Sequence, residues 1–300
     1  MTPKYFDAHG HPNFIAYKDD RDEVIKRALE AGVWMTAVGT QQDTSKSAVE
    51  LAEKYQEGVY AIIGLHPIHT DKSFHDENEL GPSFAEATKG KEGFTSRGEQ
   101  FDYDFYKKLA ESRKVVAIGE CGLDYYRLKL KDSSFKENED VIKKQEENFR
   151  RQIELAIEVK KPLMLHLRNG QGISAYNQAF SILKSYNLNL KSGAPGDLHF
   201  FAGSFEEAKP FLDLGFNFSF TGVITFTHDY DEIIKKLPLE RIMAETDCPY
   251  VTPAPYRGKR NEPKYVEEVV KAIATIRGED FEKVRETILQ NTLRFFNIKI

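Results

Sequence analysis

The chain has 300 residues, 40% of them hydrophobic, with 42 Lys and Arg against 47 Asp and Glu for a formal net charge of −5. This is the make-up of a globular protein with ample material for a core, and its negative balance argues against nonspecific coating of nucleic acid, which depends on many phosphate contacts. An enzyme that grips a few phosphates in one pocket is still compatible with that charge. Cys121 and Cys248 are too few for a disulfide framework, no apolar run nears the roughly 20 residues of a membrane span, and the start MTPKYFDAHGHP lacks the basic and apolar regions of a signal peptide. A cytoplasmic protein is expected, with no membrane contact and no obligate protein partner. No Pro/Gly/Ser-rich linker divides the chain, so 1–300 reads as one domain.

Apolar, β-branched runs alternate with amphipathic stretches from end to end. The first strand, Tyr5 to His9, leads into Phe6-Asp7-Ala8-His9-Gly10-His11-Pro12. In an extended segment Asp7, His9 and His11 share a face, and two imidazoles roughly 7 Å apart can share one cation such as zinc, manganese or iron. Asp7 either orients a ligand imidazole or makes a purely structural hydrogen bond. A helix at Asp19 to Ala31, a strand at Val33 to Gly39 and a helix at Thr44 to Gln56 follow, then a strand at Val59 to Leu65 that delivers His66. The segment Asp71 to Gln100 reads as a long loop on the same face, a lid or a decoration.

The second half repeats the pattern. A strand at Val115 to Glu120 opens Glu120-Cys121-Gly122-Leu123-Asp124, and after a helix at Glu139 to Val159 the strand Pro162 to Leu167 carries His166, with Arg168 and Asn169 beyond it. His199 lies in the strand Asp197 to Phe201, followed by a helix at Phe205 to Leu214, a strand at Phe216 to Phe220 and a helix at Asp229 to Lys236. The strand Ile242 to Asp247 places Glu245 and Asp247 on one face and runs into Tyr256-Arg257-Gly258-Lys259-Arg260-Asn261-Glu262, and helices at Pro263 to Arg277 and Asp280 to Phe296 close the chain.

Parallel neighbours need helical crossovers, so eight such strands imply an α/β fold of the (β/α)8 TIM-barrel type. Chemistry in these barrels sits at the carboxyl ends of the strands. His9, His11, Glu120, His166, His199 and Asp247 all fall there. Any one of them alone reads equally well as a buried histidine or a capping carboxylate; their joint placement on five strand ends points to a metal site.

The segments FDAHGHP, GLHP, GECGLDYY, KPLMLHLRN, HFFAGS, TGVITF, ETDCPYVTP, RNEPKYV and QNTLRFF together resemble the TatD-type metal-dependent deoxyribonucleases of the amidohydrolase superfamily, over nearly the whole chain. The resemblance implies two divalent ions, magnesium, manganese or zinc. His9, His11, Glu120 and Asp247 would hold one and Glu120, His166 and His199 the other, with the Glu120 carboxylate as the bridge. Many superfamily members use a modified lysine at that bridge, so Glu120 favours the nuclease branch. The implied activity is hydrolysis of DNA from the 3′ end of single strands, with cleavage of RNA left open. Two metals about 3.5–4 Å apart activate water and stabilise both oxygens of an in-line displacement, and Asp247 is the expected general base. Expected substrate contacts are His66, Arg168, Asn169 and Arg257, with Tyr125, Tyr126 and Phe200 as stacking surfaces. Glu245 is expected behind the ligands or as a ligand to a further cation, and the two cysteines pack against outer helices. Hydrolysis of lactones, amides or phosphotriesters is the alternative chemistry; a non-catalytic, metal-stabilised binding protein is the alternative class.

Overall fold

Strands that must bury one face against a barrel interior and the other against helices read as near-continuous apolar runs, and β2 (Val33–Val38) is buried at every position. The computed structural model describes residues 2–71, 98–126, 128, 135–186, 188 and 194–300. In chain order the first half comprises β1 (Tyr5–Asp7), α1 (Arg21–Glu30), β2, α2 (Gln42–Glu53), β3 (Val59–Ile63), α3 (Tyr103–Leu109), β4 (Val115–Asp124) and α4 (Phe135–Val159). The second comprises β5 (Leu163–Arg168), α5 (Ala175–Leu183), β6 (Gly196–His199), α6 (Phe205–Asp213), β7 (Asn217–Phe220), α7 (Asp231–Lys236), β8 (Ile242–Ala244), α8 (Val266–Arg277) and α9 (Phe281–Phe295). The eight strands pair in parallel in the order β1 to β8. The fold is a (β/α)8 barrel.

The seam between β8 and β1 is closed by main-chain bonds beyond the strands: Ala8 N to Ala244 O at 3.1 Å, Asp247 N to His9 O at 2.9 Å and His11 N to Cys248 O at 2.7 Å. Asp7 reinforces it, accepting from Thr246 N at 2.8 Å and from Thr246 Oγ1 at 2.6 Å. This closure corrects two sequence expectations. His9 and His11 follow β1 instead of ending it, and Glu245 and Asp247 follow β8, because the chain leaves the ladder where the two edge strands meet. Asp247 takes a left-handed backbone, φ 53°, so the alternation that would have kept it parallel to Glu245 does not apply.

Two short helices were not anticipated. α3 and α5 start at capping residues, Asp102 accepting from Phe105 N and Ser174 from Asn177 N, signals too local to stand out beside long periodic helices. The long-loop expectation for 71–100 falls almost wholly outside the described residues. No helix among the described residues is long and apolar enough to cross a membrane.

Beneath the mouth, Phe6, Ile62, Met164 and Met243 pack with Leu289, Leu293 and Phe295 of α9 in one buried cluster. On the β3 side, Gln152 of α4 clamps the chain just past the strand, donating to Leu65 O at 3.0 Å and accepting from Leu65 N at 2.8 Å. Replacing Gln152 with Leu strips a buried N–H and C=O of their partner. We expect urea unfolding of Gln152→Leu to show a loss of about 1–3 kcal/mol; an unchanged midpoint would mean that the clamp contributes nothing.

Candidate metal centre

Glu120 is the hub. Its strand slips register against β5 between Ile118 and Cys121, a bulge of the kind that re-aims a side chain. Backbone crowding makes room for this only without side chains: a Cβ on Gly119 would lie 2.4 Å from Met164 O, and one on Gly64 would lie 2.6 Å from the Gly119 carbonyl. The re-aimed carboxylate is 4% exposed and meets five imidazoles. Oε2 lies 3.3 Å from His9 Nε2 and 3.9 Å from His11 Nε2; Oε1 lies 3.0 Å from His166 Nδ1, 3.2 Å from His66 Nε2 and 3.3 Å from His199 Nε2. Asp247 Oδ1 joins from the seam, 3.4 Å from His11 Nε2. Burial pushes the Glu120 carboxyl up, but the surrounding imidazoles outweigh it and hold the group ionised, well below the usual range.

Hydrogen bonds to the far side of each ring decide which nitrogen carries its lone pair into the centre. His11 Nδ1 faces the Val38 carbonyl at 3.0 Å, which can only accept, so His11 donates there and Nε2 is bare when the ring is neutral. His199 Nδ1 faces Glu245 Oε1 at 2.9 Å, which bares Nε2 in the same way. His166 Nε2 faces Asp124 Oδ2 at 3.0 Å, baring Nδ1 toward Glu120. His66 is the opposite case. Its Nδ1 accepts from Ile68 N at 3.1 Å, so Nε2 carries the hydrogen and His66 is a donor toward the centre. Among the described residues neither ring nitrogen of buried His9 has a hydrogen-bond partner. By distance alone, side chains among the described residues fall into three groups close enough to hold a metal ion: His9, His11 and Asp247; His9, Glu120 and His199; His66, Glu120 and His166, of which His66 presents a hydrogen and not a lone pair. Buried bare imidazoles around ionised carboxylates are the donor set of borderline divalent cations, so the residues fit a metal.

Behind His199 stands a second buried layer. Glu245 Oε1 also accepts from Phe200 N at 2.7 Å, and its Oε2 lies 2.6 Å from Ser219 Oγ, which is equally 2.6 Å from Asp197 Oδ2. One hydroxyl proton cannot serve both carboxylates, so the second contact needs a carboxyl proton. Burial and the charge of Glu245 push Asp197 well above the usual range, which makes Asp197 the holder. Asp124, Asp197 and Ser219 stand behind the centre at positions that sequence reasoning missed. Strand alternation could have found two of them: Asp124 is four residues past Glu120, and Asp197 two before His199.

The other expected residues divide. Asp7 bonds Thr246 and, at 3.4 Å, the His9 main-chain N–H, reaching no ring. Asn169 is committed within the protein, donating to Glu207 Oε1 and accepting from Ala175 N, both at 2.8 Å. Arg168 and Arg257 are exposed on the carboxyl-end face, whereas Arg260 of the basic stretch is bound to Asp20. Tyr125 is fully buried in the core, so it cannot offer a stacking surface, while Tyr126 is exposed. Cys121 and Cys248 are buried and unpaired, and burial drives the Cys248 thiol up to about 12.

A barrel with this centre at its carboxyl-end mouth defines a metal-dependent hydrolase. Residues 6–297 match the family described as TatD related DNase. The chain is 36% identical over 296 residues to an uncharacterized metal-dependent hydrolase, YabD, of Bacillus subtilis (strain 168), covering 98% of this chain and 99% of that protein. It is 32% identical over 292 residues to a protein named 3′-5′ ssDNA/RNA exonuclease TatD of Klebsiella pneumoniae (strain 342), covering 95% and 94%. The crystal structure of the TatD homologue YjjV of Escherichia coli K12 superposes with a TM-score of 0.75 at 26% identity, covering all of both chains. The chain belongs to the TatD-related DNase family.

Burial pushes the His166 imidazole down, but its bonds to Asp124 and Glu120 outweigh this and hold it at about 9, while Asp124 is held at about 2 chiefly by His166 against its own burial. A histidine whose folded value exceeds its ordinary 6.5 binds its proton more tightly when folded, so this stabilisation is complete below pH 6.5 and is lost as pH rises to about 9. At the acid end it is lost as pH falls from Asp124's ordinary 3.8 toward about 2. In chelator-treated protein, the melting-temperature gap between wild type and Asp124→Asn should therefore be widest between those limits and close above pH 9. A gap independent of pH would show that the pair does not hold the proton.

Proposed function

We propose that this hydrolase is a 3′-to-5′ exonuclease acting on single-stranded DNA, and on RNA as well, with two divalent ions at the Glu120 centre. The observation that carries the reading is the set of ring nitrogens on His11, His166 and His199 that are bare once the ring is neutral, each fixed by a hydrogen bond on its far side and directed at Glu120 or Asp247. Support for the substrate comes from relatives named as 3′-5′ exonucleases of ssDNA and RNA.

In this reading one ion would be held by His9, His11, Glu120 and Asp247 and the other by Glu120, His166 and His199. Divalent cations bound there would supply positive charge to the phosphate and acidify water. The protein does the rest. Asp247 is kept ionised because the His11 bond and the neighbouring imidazoles outweigh the effect of burial, so it accepts the proton of the attacking water as general base. Water attacks phosphorus as the bond to the leaving sugar oxygen breaks, and that oxygen takes a proton from solvent to leave as a hydroxyl. His66, with its hydrogen on Nε2, donates to a phosphate oxygen in place of Glu120, a neutral donor where negative charge grows. Arg168 and Arg257 clamp phosphates at the rim, and Glu245 holds His199 without touching substrate.

End-labelled single-stranded DNA, given to chelator-stripped protein reloaded with magnesium, manganese or zinc, tests this. Stepwise shortening should require metal and a free 3′ end, and Asp247→Asn should fall by about 10²–10⁴ in kcat, the usual contribution of a general base. Protein shown to hold metal yet inert on DNA and RNA would transfer the centre to lactones, amides or other phosphoesters.

A second measurement concerns the ions alone. Because His166 is protonated below about pH 9 when no metal is present, metal binding must displace that proton, and affinity should rise with pH up to that value. Calorimetry at pH 7.5 in buffers of different ionisation heat should report proton release; none would place His166 outside the ligand set.

A further inference from the structure

Among the described residues the exposed large apolar side chains are Tyr126, Leu214, Phe226 and Ile300. Two of these carry an arginine on the ring. Tyr126 is 59% exposed with the Arg168 guanidinium carbon 3.7 Å from its ring centroid, and Phe226 is 44% exposed with that of Arg257 at 3.9 Å. Neither arginine has a carboxylate partner among the described residues, whereas Arg27 is paired with Glu262 and Arg260 with Asp20.

Both pairs are built into the mouth. Asp124 accepts from Tyr126 N at 3.0 Å through the oxygen that His166 leaves free, and Arg168 stands opposite Asp124 in the β4–β5 ladder. Phe226 follows the 3₁₀ turn Gly222–Thr225 after β7, while Arg257 lies in the connection after β8. Ala254 N donates to Thr225 Oγ1 at 2.8 Å and joins those two segments, and Arg257 Nη1 donates to Thr252 O at 3.1 Å within the second. One pair thus sits beside β4 and β5, the other beside β7 and β8.

An aromatic ring left in water with an uncompensated guanidinium across its face offers a base a π surface and a phosphate a cation. The geometry points to two nucleotide platforms, Tyr126 with Arg168 and Phe226 with Arg257, each holding one base and its phosphate of a single strand that enters the Glu120 centre. The inference rests on the nuclease reading above and adds to it the source of strand preference. Every base has a π face, so the platforms tolerate any sequence. Bases inside a duplex are already stacked and cannot use them.

The test uses metal-loaded, full-length protein and three substrates: a short oligothymidylate, an abasic oligomer of the same length, and a duplex. For oligothymidylate we expect KM to rise about tenfold in Tyr126→Ala and in Phe226→Ala, with kcat nearly unchanged, as the loss of one stacked base implies. The double variant should lose the product, about a hundredfold. Tyr126→Phe should keep the wild-type KM, because the ring and not the hydroxyl is used. Wild type and variants should be alike on the abasic oligomer and on the duplex. Single variants with the wild-type KM for oligothymidylate, or with equal losses on the abasic oligomer, would overturn the platforms. Wild-type protein that processes none of the three would instead overturn the nuclease reading, and is seen in a separate arm.

Discussion

A buried carboxylate in contact with five imidazoles governs the rest of this structure. An isolated ion at the depth of Glu120 would cost several kcal/mol in lost hydration, and the fold answers by bringing histidines to it from the ends of β1, β3, β5 and β6. Each must arrive within about a hydrogen-bond length, which fixes the barrel's closure, the slipped register in β4 and the absence of side chains at Gly64 and Gly119. The same arrangement that keeps Glu120 ionised leaves several imidazoles competing for few protons. Divalent cations can replace those shared protons, so metal binding and the stability of the mouth are linked through the same groups.

The residues behind the first ring of donors decide what each donor can do. A main-chain carbonyl behind His11, Asp124 behind His166 and Glu245 behind His199 leave lone pairs facing the centre, whereas an amide N–H behind His66 leaves a hydrogen there. Four histidines near one carboxylate are thereby divided into three that can turn a lone pair to the centre and one that turns a hydrogen there. The proton held between Asp197 and Glu245 through Ser219 serves the same end, since two ionised carboxylates so close would repel and release His199 from its position.

Around this rigid, hydrogen-bonded centre the rim is built differently. Arg260, Asn169 and Asp7 are spent on holding loops and the β8–β1 seam, which keeps the mouth in shape. Arg168 and Arg257 are left in water over exposed rings, free to exchange an aromatic face and solvent for a ligand. A net-negative chain thus presents two arginines over exposed rings where the mouth opens.

Apolar periodicity alone made the eight strands and most helices legible, because burial on both faces leaves an unbroken run of Val, Ile, Leu and Phe that can be read without knowing its neighbours. The barrel rule then placed His9, His11, Glu120, His166, His199 and Asp247 at one mouth, although Glu120 does not end its strand as expected: β4 runs on four residues to Asp124, and the slipped register aims Glu120 inward. Which ring nitrogen faces inward, that His66 donates to Glu120, that Asp7 serves the seam, and that Asp124, Ser219 and Asp197 form the supporting layer were decided only by the tertiary structure. The physical reason is range: a strand's burial pattern is written in neighbouring residues, whereas a tautomer or a shared proton depends on groups such as Val38 and His11, or Ser219 and Glu245, that are distant in the chain and meet only when the barrel closes.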